Sequence, residues 1–230
     1  MRLTTKIIIG IILATFIIPL TFIITFSFSD RKNYNKSPFN YEVITASRDS
    51  ENEIDVEPYK VVVLDKHTAG QNEHIYWFRD DCLVSLNPVT TENERNKLFI
   101  TEEFAGFVTV NTLNDTLTIK VKLDELGEKY EKADKNNVAI SGMKFKLHTS
   151  TIDVVNKLNG VVTEIRNIET NKIKVKAESH VSIHECDVNK VIIQKAGSLD
   201  IKNNKLKELS FDDSQLWKIE DCRIFPVSGE

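Results

Sequence analysis

The sequence predicts an all-β protein: a parallel β-helix (a β-solenoid of 18-residue coils) with an N-terminal β-rich region and a transmembrane helix. Three observations predict it. Aliphatic residues recur every 18 positions in the last third of the chain. Apolar and polar residues alternate at strand spacing through the middle. One long uncharged run, Ile7 to Phe26, stands near the N-terminus. The 230 residues are 41% hydrophobic and 28% charged, a composition that excludes wholesale disorder. A formal net charge of -4 argues against nucleic acid as a partner, because phosphate affinity needs a concentrated basic face.

Residues 1–29 read as a transmembrane anchor or signal. Ile7 to Phe26 carries no charge and follows Arg2 and Lys6. As a helix it spans roughly 30 Å, the thickness of the hydrocarbon core. Pro19 predicts a kink within it. Cleaved secretory signals have shorter apolar stretches, so the length favours an uncleaved anchor contacting the membrane through residues 7–26. No cysteine follows the run directly, which excludes a lipoprotein anchor. Either kind of segment exports the rest of the chain. Without Arg2 and Lys6 that remainder has 28 basic against 34 acidic residues, or -6.

Residues 30–53 are polar and without a sustained period, which reads as a tether. From 54 to 142 strand signals take over. Tyr59–Leu64, His74–Phe78 and Cys82–Leu86 are short apolar runs bounded by turn residues. Leu117, Ile119, Val121 and Leu123 alternate with polar residues as a half-buried strand does. Asn114-Asp115 stands where a hairpin turn is needed, since both residues tolerate left-handed backbone angles. Asp124 to Asn137 has helical spacing of Leu126, Tyr130 and Ala133 and reads as a short surface helix.

Residues 143–226 carry the repeat, and 227–230 form a tail. At a period of 18 the residues Leu147, Ile165, Ile183, Ile201 and Ile219 fall in one column. Phe145, Thr163, Val181, Leu199 and Trp217 form a second. Further columns are Val155, Ile173, Val191, Leu209, and Lys157, Val175, Ile193, Phe211. Within each repeat apolar residues come in pairs two apart, and successive pairs begin five apart. A helix would scatter that pattern around its cylinder, whereas three short strands per coil keep it inward. Trp217, Ile219, Cys222 and Ile224 are bulky enough to cap an open end, and the region from Ile54 to Leu123 is placed to flank the other end.

The chemical inventory is sparse. Three cysteines, Cys82, Cys186 and Cys222, show no metal-type spacing. Cys186 and Cys222 share a column two coils apart, roughly 9.6 Å, which is too far for a disulfide. Nucleophile elbows, phosphate loops, dinucleotide fingerprints and zinc-protease helices are absent from the sequence, so no enzyme activity, catalytic residue or cofactor is expected. His148, Arg166, His184 and Lys202 share one outward column, a candidate ligand-binding stripe for an anionic polymer, against the plainer reading of a solvated face. Glu169, Glu185 and Asp187 cluster outward and are the candidate Ca²⁺ ligands, because several carboxylates forced together suit that ion.

The stretch Asn114-Asp115-Thr116-Leu117-Thr118-Ile119 resembles a recognisable pattern when followed by rungs such as Lys172-Ile173-Lys174-Val175 and Asn189 to Ile201. Behind a membrane segment, these are similar to the head-GIN-type candidate adhesin domains of exported proteins in Bacteroidetes-like bacteria. The resemblance covers roughly residues 54 to 225. It implies a right-handed parallel β-helix in the cell envelope and carries no functional residues with it. This chain departs from the family in its scarcity of glycine, 8 residues in all. The expectation is therefore a membrane-anchored, extracytoplasmic binding, adhesion or structural protein, with a glycan or another envelope protein as partner. A polysaccharide-active β-helix enzyme and a self-assembling scaffold are the alternatives.

Overall fold

The computed structural model describes residues 41–46, 50–67, 75–130, 137–149, 152–212 and 214–224. The expected membrane segment and the polar stretch up to residue 40 lie outside them. Among the described residues no helix is long and apolar enough to cross a membrane. The fold is all-β.

In chain order, β1 (Tyr41–Thr45), β2 (Glu51–Asp55), β3 (Val61–His67), β4 (Ile75–Phe78) and β5 (Leu83–Asn87) come first. A 3-10 turn at Glu92–Glu94 leads to β6 (Lys97–Thr101), the single helical turn α1 (Glu102–Ala105), and the strands β7 (Val108–Leu113) and β8 (Thr116–Lys122). Then follow α2 (Leu123–Tyr130), β9 (Asn137–Ser141), β10 (Lys144–His148), β11 (Ile152–Asn156), β12 (Val162–Arg166) and β13 (Glu169–Ala177). The chain ends in β14 (His180–His184), β15 (Asp187–Lys202), β16 (Lys205–Phe211), β17 (Ser214–Glu220) and β18 (Arg223–Ile224). Fifteen strands make one curled sheet, and β1, β9 and β4 make a small parallel sheet of three.

The curled sheet has two faces that β15 joins, because its 16 residues pair with β13 and β16 at one end and with β14 and β17 at the other. From β12 onward the pairing is parallel and advances by one sequence repeat per step. Ile165 pairs with Ile183, Ile183 with Ile201, and Ile201 with Ile219. On the other face Ile173, Val191 and Leu209 are neighbours, as are Val175, Ile193 and Phe211. Ile165, Ile183, Ile201, Ile173, Val191, Val175 and Ile193 have no solvent exposure, so these files form the core.

The corners between the faces use left-handed backbone. Asn167, Glu185, Asn203 and Asp221 occupy the same position in successive repeats and have φ of 56°, 59°, 56° and 51°. Three of the four are asparagine or aspartate, which visit this region at modest cost and so form corners in a chain poor in glycine; Glu185 is the exception. Each corner N–H donates to the next lap: Asn167 to the His184 carbonyl, Glu185 to Lys202 and Asn203 to Glu220, each at 3.1 Å.

The N-terminal region corrects three expectations. The stretch 30–53 is not all tether, since β1 and β2 fall in it. Ile44 is buried, and β1 pairs in parallel with β9 through Tyr41 to Thr45. The boundary expected at 142/143 does not divide the packing either. Strand β5 lies between β10 and β12, so Leu86 separates Leu147 from Ile165, and Val84 separates Phe145 from Thr163. Strand β3 lies between β8 and β11, and β4 joins it at β9. The lap β3–β4–β5 is therefore interleaved between β8–β9–β10 and β11–β12, although it precedes both in the chain. The third correction concerns columns. Strand β11 pairs with β13 three positions out of step with the repeat, so Ile152 joins Ile173 and Val154 joins Val175, in place of Val155 and Lys157.

Antiparallel strands close the N-terminal side: β6 on β10, β2 on β6, and β7 on β8. Asn114 and Asp115, at φ 48° and 59°, make the tight hairpin turn between β7 and β8. Helix α2 falls where helical spacing predicted it and buries Leu126.

Candidate functional site

Outward-facing residues recur at the interval of the inward files, and two such surfaces contain the candidates. The first lies on the face built by β5, β12, β14, β15 and β17. Arg166, His184, Lys202 and Glu220 are successive partners there, as the period predicted. His148 is not beside them. It pairs with Asn87 of the interleaved β5, and it is 9% exposed. Its Nδ1 lies 2.9 Å from the Pro88 carbonyl and 3.4 Å from Glu94 Oε2, and its ring meets Phe99 edge-on. Hydrogen bonds from Thr90 hold the Glu94 carboxyl below the usual range, and the neighbouring His148 adds to that.

The three basic residues left in the stripe each face an acid. Arg166 pairs with Glu164, and His184 Nε2 lies 3.3 Å from Asp200 Oδ2 and 3.0 Å from Ser182 Oγ. Lys202 lies 3.7 Å from Glu220, which also holds Lys218 at 2.8 Å. The Lys218 hydrogen bond lowers the Glu220 pKa, and Glu220 raises that of Lys218. Glu164 and Asp200 come from the neighbouring column, Glu164, Ser182, Asp200 and Lys218, whereas Glu220 continues the stripe itself. The stripe column read alone misses the first two. Charge on this face is largely compensated in place, which weakens its pull on a polyanion.

The second surface is a polar trough on the opposite face. Glu169, Thr170, Asn171, Asp187 and Asn189 line an open hollow of about 400 Å³. An adjoining hollow of about 320 Å³ shares Thr170 and Asn171 and is bounded by Lys60, Asp153, Lys172 and Lys174. Strand β13 starts at Glu169, and among the described residues its pairing with β11 begins at Ile173, so Glu169 to Lys172 form a ledge beyond β11. Glu169 sits beside Asp187, and Asp187 beside Lys205 at 3.3 Å. Asn189 donates from Nδ2 to Asn171 Oδ1 at 2.7 Å, an amide step between laps.

Of the candidate Ca²⁺ ligands, the structure brings Glu169 and Asp187 together. Glu185 is an exposed corner residue and does not line the trough. Among the described residues no group of three or more His, Cys, Asp or Glu could hold a metal ion.

The cysteines are free thiols. Burial pushes Cys82 and Cys186 up to about 11. Cys186 and Cys222 sit at equivalent corners with Asn204 between them. The Asn204 side chain accepts from the Cys186 N–H at 2.8 Å and donates to the carbonyls of Ile183 and Lys202 at 2.7 and 2.9 Å.

No family model matches the chain, and no curated protein does. Among solved structures it is similar to a candidate adhesin from Bacteroides fragilis NCTC 9343, at 11% identity and a TM-score of 0.41, over 80% of this chain and 100% of that one. It is similar to a candidate adhesin from Parabacteroides distasonis ATCC 8503 at 9% identity and 0.37, over 80% and 77%. A candidate cell adhesion protein from Clostridium sporogenes ATCC 15579 matches at 10% and 0.31, over 76% and 99%. Likeness at this level says nothing about what the chain binds.

Proposed function

We propose that this chain is a membrane-anchored, extracytoplasmic binding protein of the cell envelope, a parallel β-helix that presents its outward faces for adhesion or a structural contact. The β-helix reading is supported by parallel pairing that advances one repeat at a time on two faces, with left-handed corners at the same interval. Anchoring and export are supported by the uncharged run from Ile7 to Phe26 behind Arg2 and Lys6.

The observation that carries the binding role is the polar trough, where carboxylates and amides repeat from one lap to the next. A rigid ledge of hydrogen-bonding groups suits a glycan or an extended segment of another envelope protein, with little ordering cost on the protein side. The test is a binding screen of the full chain in nanodiscs against envelope polysaccharides and solubilised envelope proteins. Saturable binding that weakens in an Asn171→Ala/Asn189→Ala variant supports the role. Absence of any saturable partner rejects it.

One observation favours a second reading. Glu169 and Asp187 stand side by side, as acid–base carboxylates do in polysaccharide-active enzymes. Cleavage of uronate glycans that disappears in Glu169→Gln would establish it, and an uncleaved but bound glycan would dismiss it.

A further inference from the structure

The trough is polarised along its length, and this identifies a ligand class. Glu169 and Asp187 lie at one end, Lys60, Lys172 and Lys174 at the other, with the Asn171–Asn189 step between. Most of these charges are already engaged. Lys60 binds Asp115 at 2.6 Å, Lys174 lies 3.7 Å from Asp153, and Asp187 is tied to Lys205. Glu169 and Lys172 are the exceptions. Both are exposed, and neither has an ion pair or side-chain hydrogen bond among the described residues. They are three residues apart in β13, a span of at most roughly 10 Å along the chain.

The amide step has capacity left in the middle. Asn189 uses Nδ2 and Asn171 uses Oδ1 in their mutual bond, which leaves the Asn171 NH₂ as a donor and the Asn189 oxygen as an acceptor. Between an anion and a cation on β13, the trough thus offers a donor on that strand and an acceptor on the neighbouring β15. An extended tripeptide with free ends is its complement. Its ammonium and carboxylate are roughly 10 Å apart, and its central amides supply one N–H and one C=O.

We propose that the trough recognises a short zwitterionic peptide, ammonium toward Glu169 and carboxylate toward Lys172. This rests on the binding role proposed above and names the ligand of that site. No covalent step is involved.

The test titrates the full chain in nanodiscs, at low ionic strength, with four probes: trialanine with free ends, its two singly capped forms, and acetyl-trialanine amide. Exposed ion pairs are individually weak, so each cap is expected to loosen binding about threefold. The preference for free ends is expected to vanish in Glu169→Gln/Lys172→Gln and to persist in Lys207→Gln, an exposed lysine of β16 outside the trough. Both trough residues are solvent-exposed, so unchanged thermal melting confirms that the variants are folded. Equal binding of capped and free peptide overturns the proposal, as does a preference that survives the double substitution. Saturable glycan or envelope-protein binding alongside either result leaves the binding role standing. If no probe and no envelope fraction binds, both fall.

Discussion

The strands from β12 to β17 and the strands from β3 to β11 have the same inward files but assemble them by different routes. In the first region each strand pairs with its counterpart in the next repeat, as Ile183 does with Ile201. In the second the same file is completed by residues far apart in the chain. Leu86 pairs with Leu147 and with Ile165, and Val62 pairs with Val154, each partner lying several strands further along. Both arrangements give full burial: Leu86, Val62 and Ile183 all have no exposure. What differs is the loop that must close before the contact stabilises anything. The repeating laps can add one at a time. The β3–β4–β5 lap has no neighbour on either side until β8 to β12 have been placed, so the regular region depends on an irregular one at its base.

A charge in each region should expose that dependence, and this is the largest effect expected. Leu86→Lys forces an amine, charged or neutralised, between leucine and isoleucine neighbours, at a cost comparable to the roughly 5–15 kcal/mol that holds a domain together. The variant should show no cooperative unfolding by circular dichroism in either region. Ile183→Lys should behave alike. Ile219→Lys sits at the last described lap, where the side chain is only half-buried, and should leave a cooperative transition with a smaller m-value. If Leu86→Lys retains a full transition, the interleaved lap is not structural.

Buried asparagines give the next largest contrast. Asn204 satisfies one N–H and two carbonyls within the repeating laps. Asn156, 1% exposed, does the same work at the junction. It donates to the Val161 carbonyl at 2.9 Å and to Thr163 Oγ1 at 3.0 Å, and accepts from the Leu158 N–H at 2.9 Å. Replacing either by alanine strands buried backbone groups and should cost about 2–4 kcal/mol in urea denaturation. The two losses should add when combined, because the sites share no partner. Strong non-additivity would mean that the two regions do not melt as independent contributions to one core.

How far the sequence can be read follows from the same contrast. The files through Ile165, Ile183, Ile201 and Ile219, and through Ile173, Val191 and Leu209, are legible because their contacts fall at a fixed short interval. The hairpin at Asn114-Asp115 is legible because few residues accept two successive positive φ angles. Strands β3 and β5 can be recognised as strands from Val61–Leu64 and Leu83–Leu86. Their place inside the stack cannot, since nothing local in Leu86 marks a partner as remote as Ile165. Leu147 therefore falls in the right file with the wrong neighbour, and Asn87 separates His148 from the stripe that the period suggests for it. Val155 and Lys157 face inward only if the repeat extends one lap further than it does, because the register has shifted by three positions there. The trough is half legible. Glu169 and Asp187 stand out as carboxylates, whereas Asn171, Asn189 and Lys172 carry no signal until strand register brings them to one ledge.

A smaller effect tests how tightly the interleaved lap is held. Gly160 has φ of 95°, and an added Cβ would stand 2.4 Å from the Phe78 carbonyl oxygen of β4. Backbone lies on both sides of that contact, so neither can swing away. Gly160→Ala should cost about 2 kcal/mol or more through strain and the forced displacement of Phe78. Gly197, inside the repeating laps, has its nearest contact at 3.1 Å and no positive φ, so Gly197→Ala should cost less. Reversal of that order in thermal melts would show that the repeating laps are the more tightly packed region.

The smallest effect compares the two regions through their buried thiols. Cys82 lies within the interleaved lap, between β4 and β5, and Cys186 at a corner of the repeating laps, and burial raises both from the ordinary 9.0 to about 11. A thiol whose folded pKa is raised stays neutral in the fold while the unfolded chain ionises first. Its contribution to stability is intact below pH 9 and is lost as pH climbs from about 9 to about 11. Each thiol accounts for about 2–3 kcal/mol of that loss at most. Urea titrations at pH 8 and pH 10.5 should show a steeper alkaline loss in the parent chain than in Cys82→Ala or Cys186→Ala, with the double variant shallowest. The half-buried Cys222 should react with iodoacetamide at pH 8 well before the other two. If Cys82 is alkylated faster than Cys186 under native conditions, the interleaved lap opens ahead of the regular one. The base of the stack would then be its weakest part, because long loops that are slow to close would also be the first to give way.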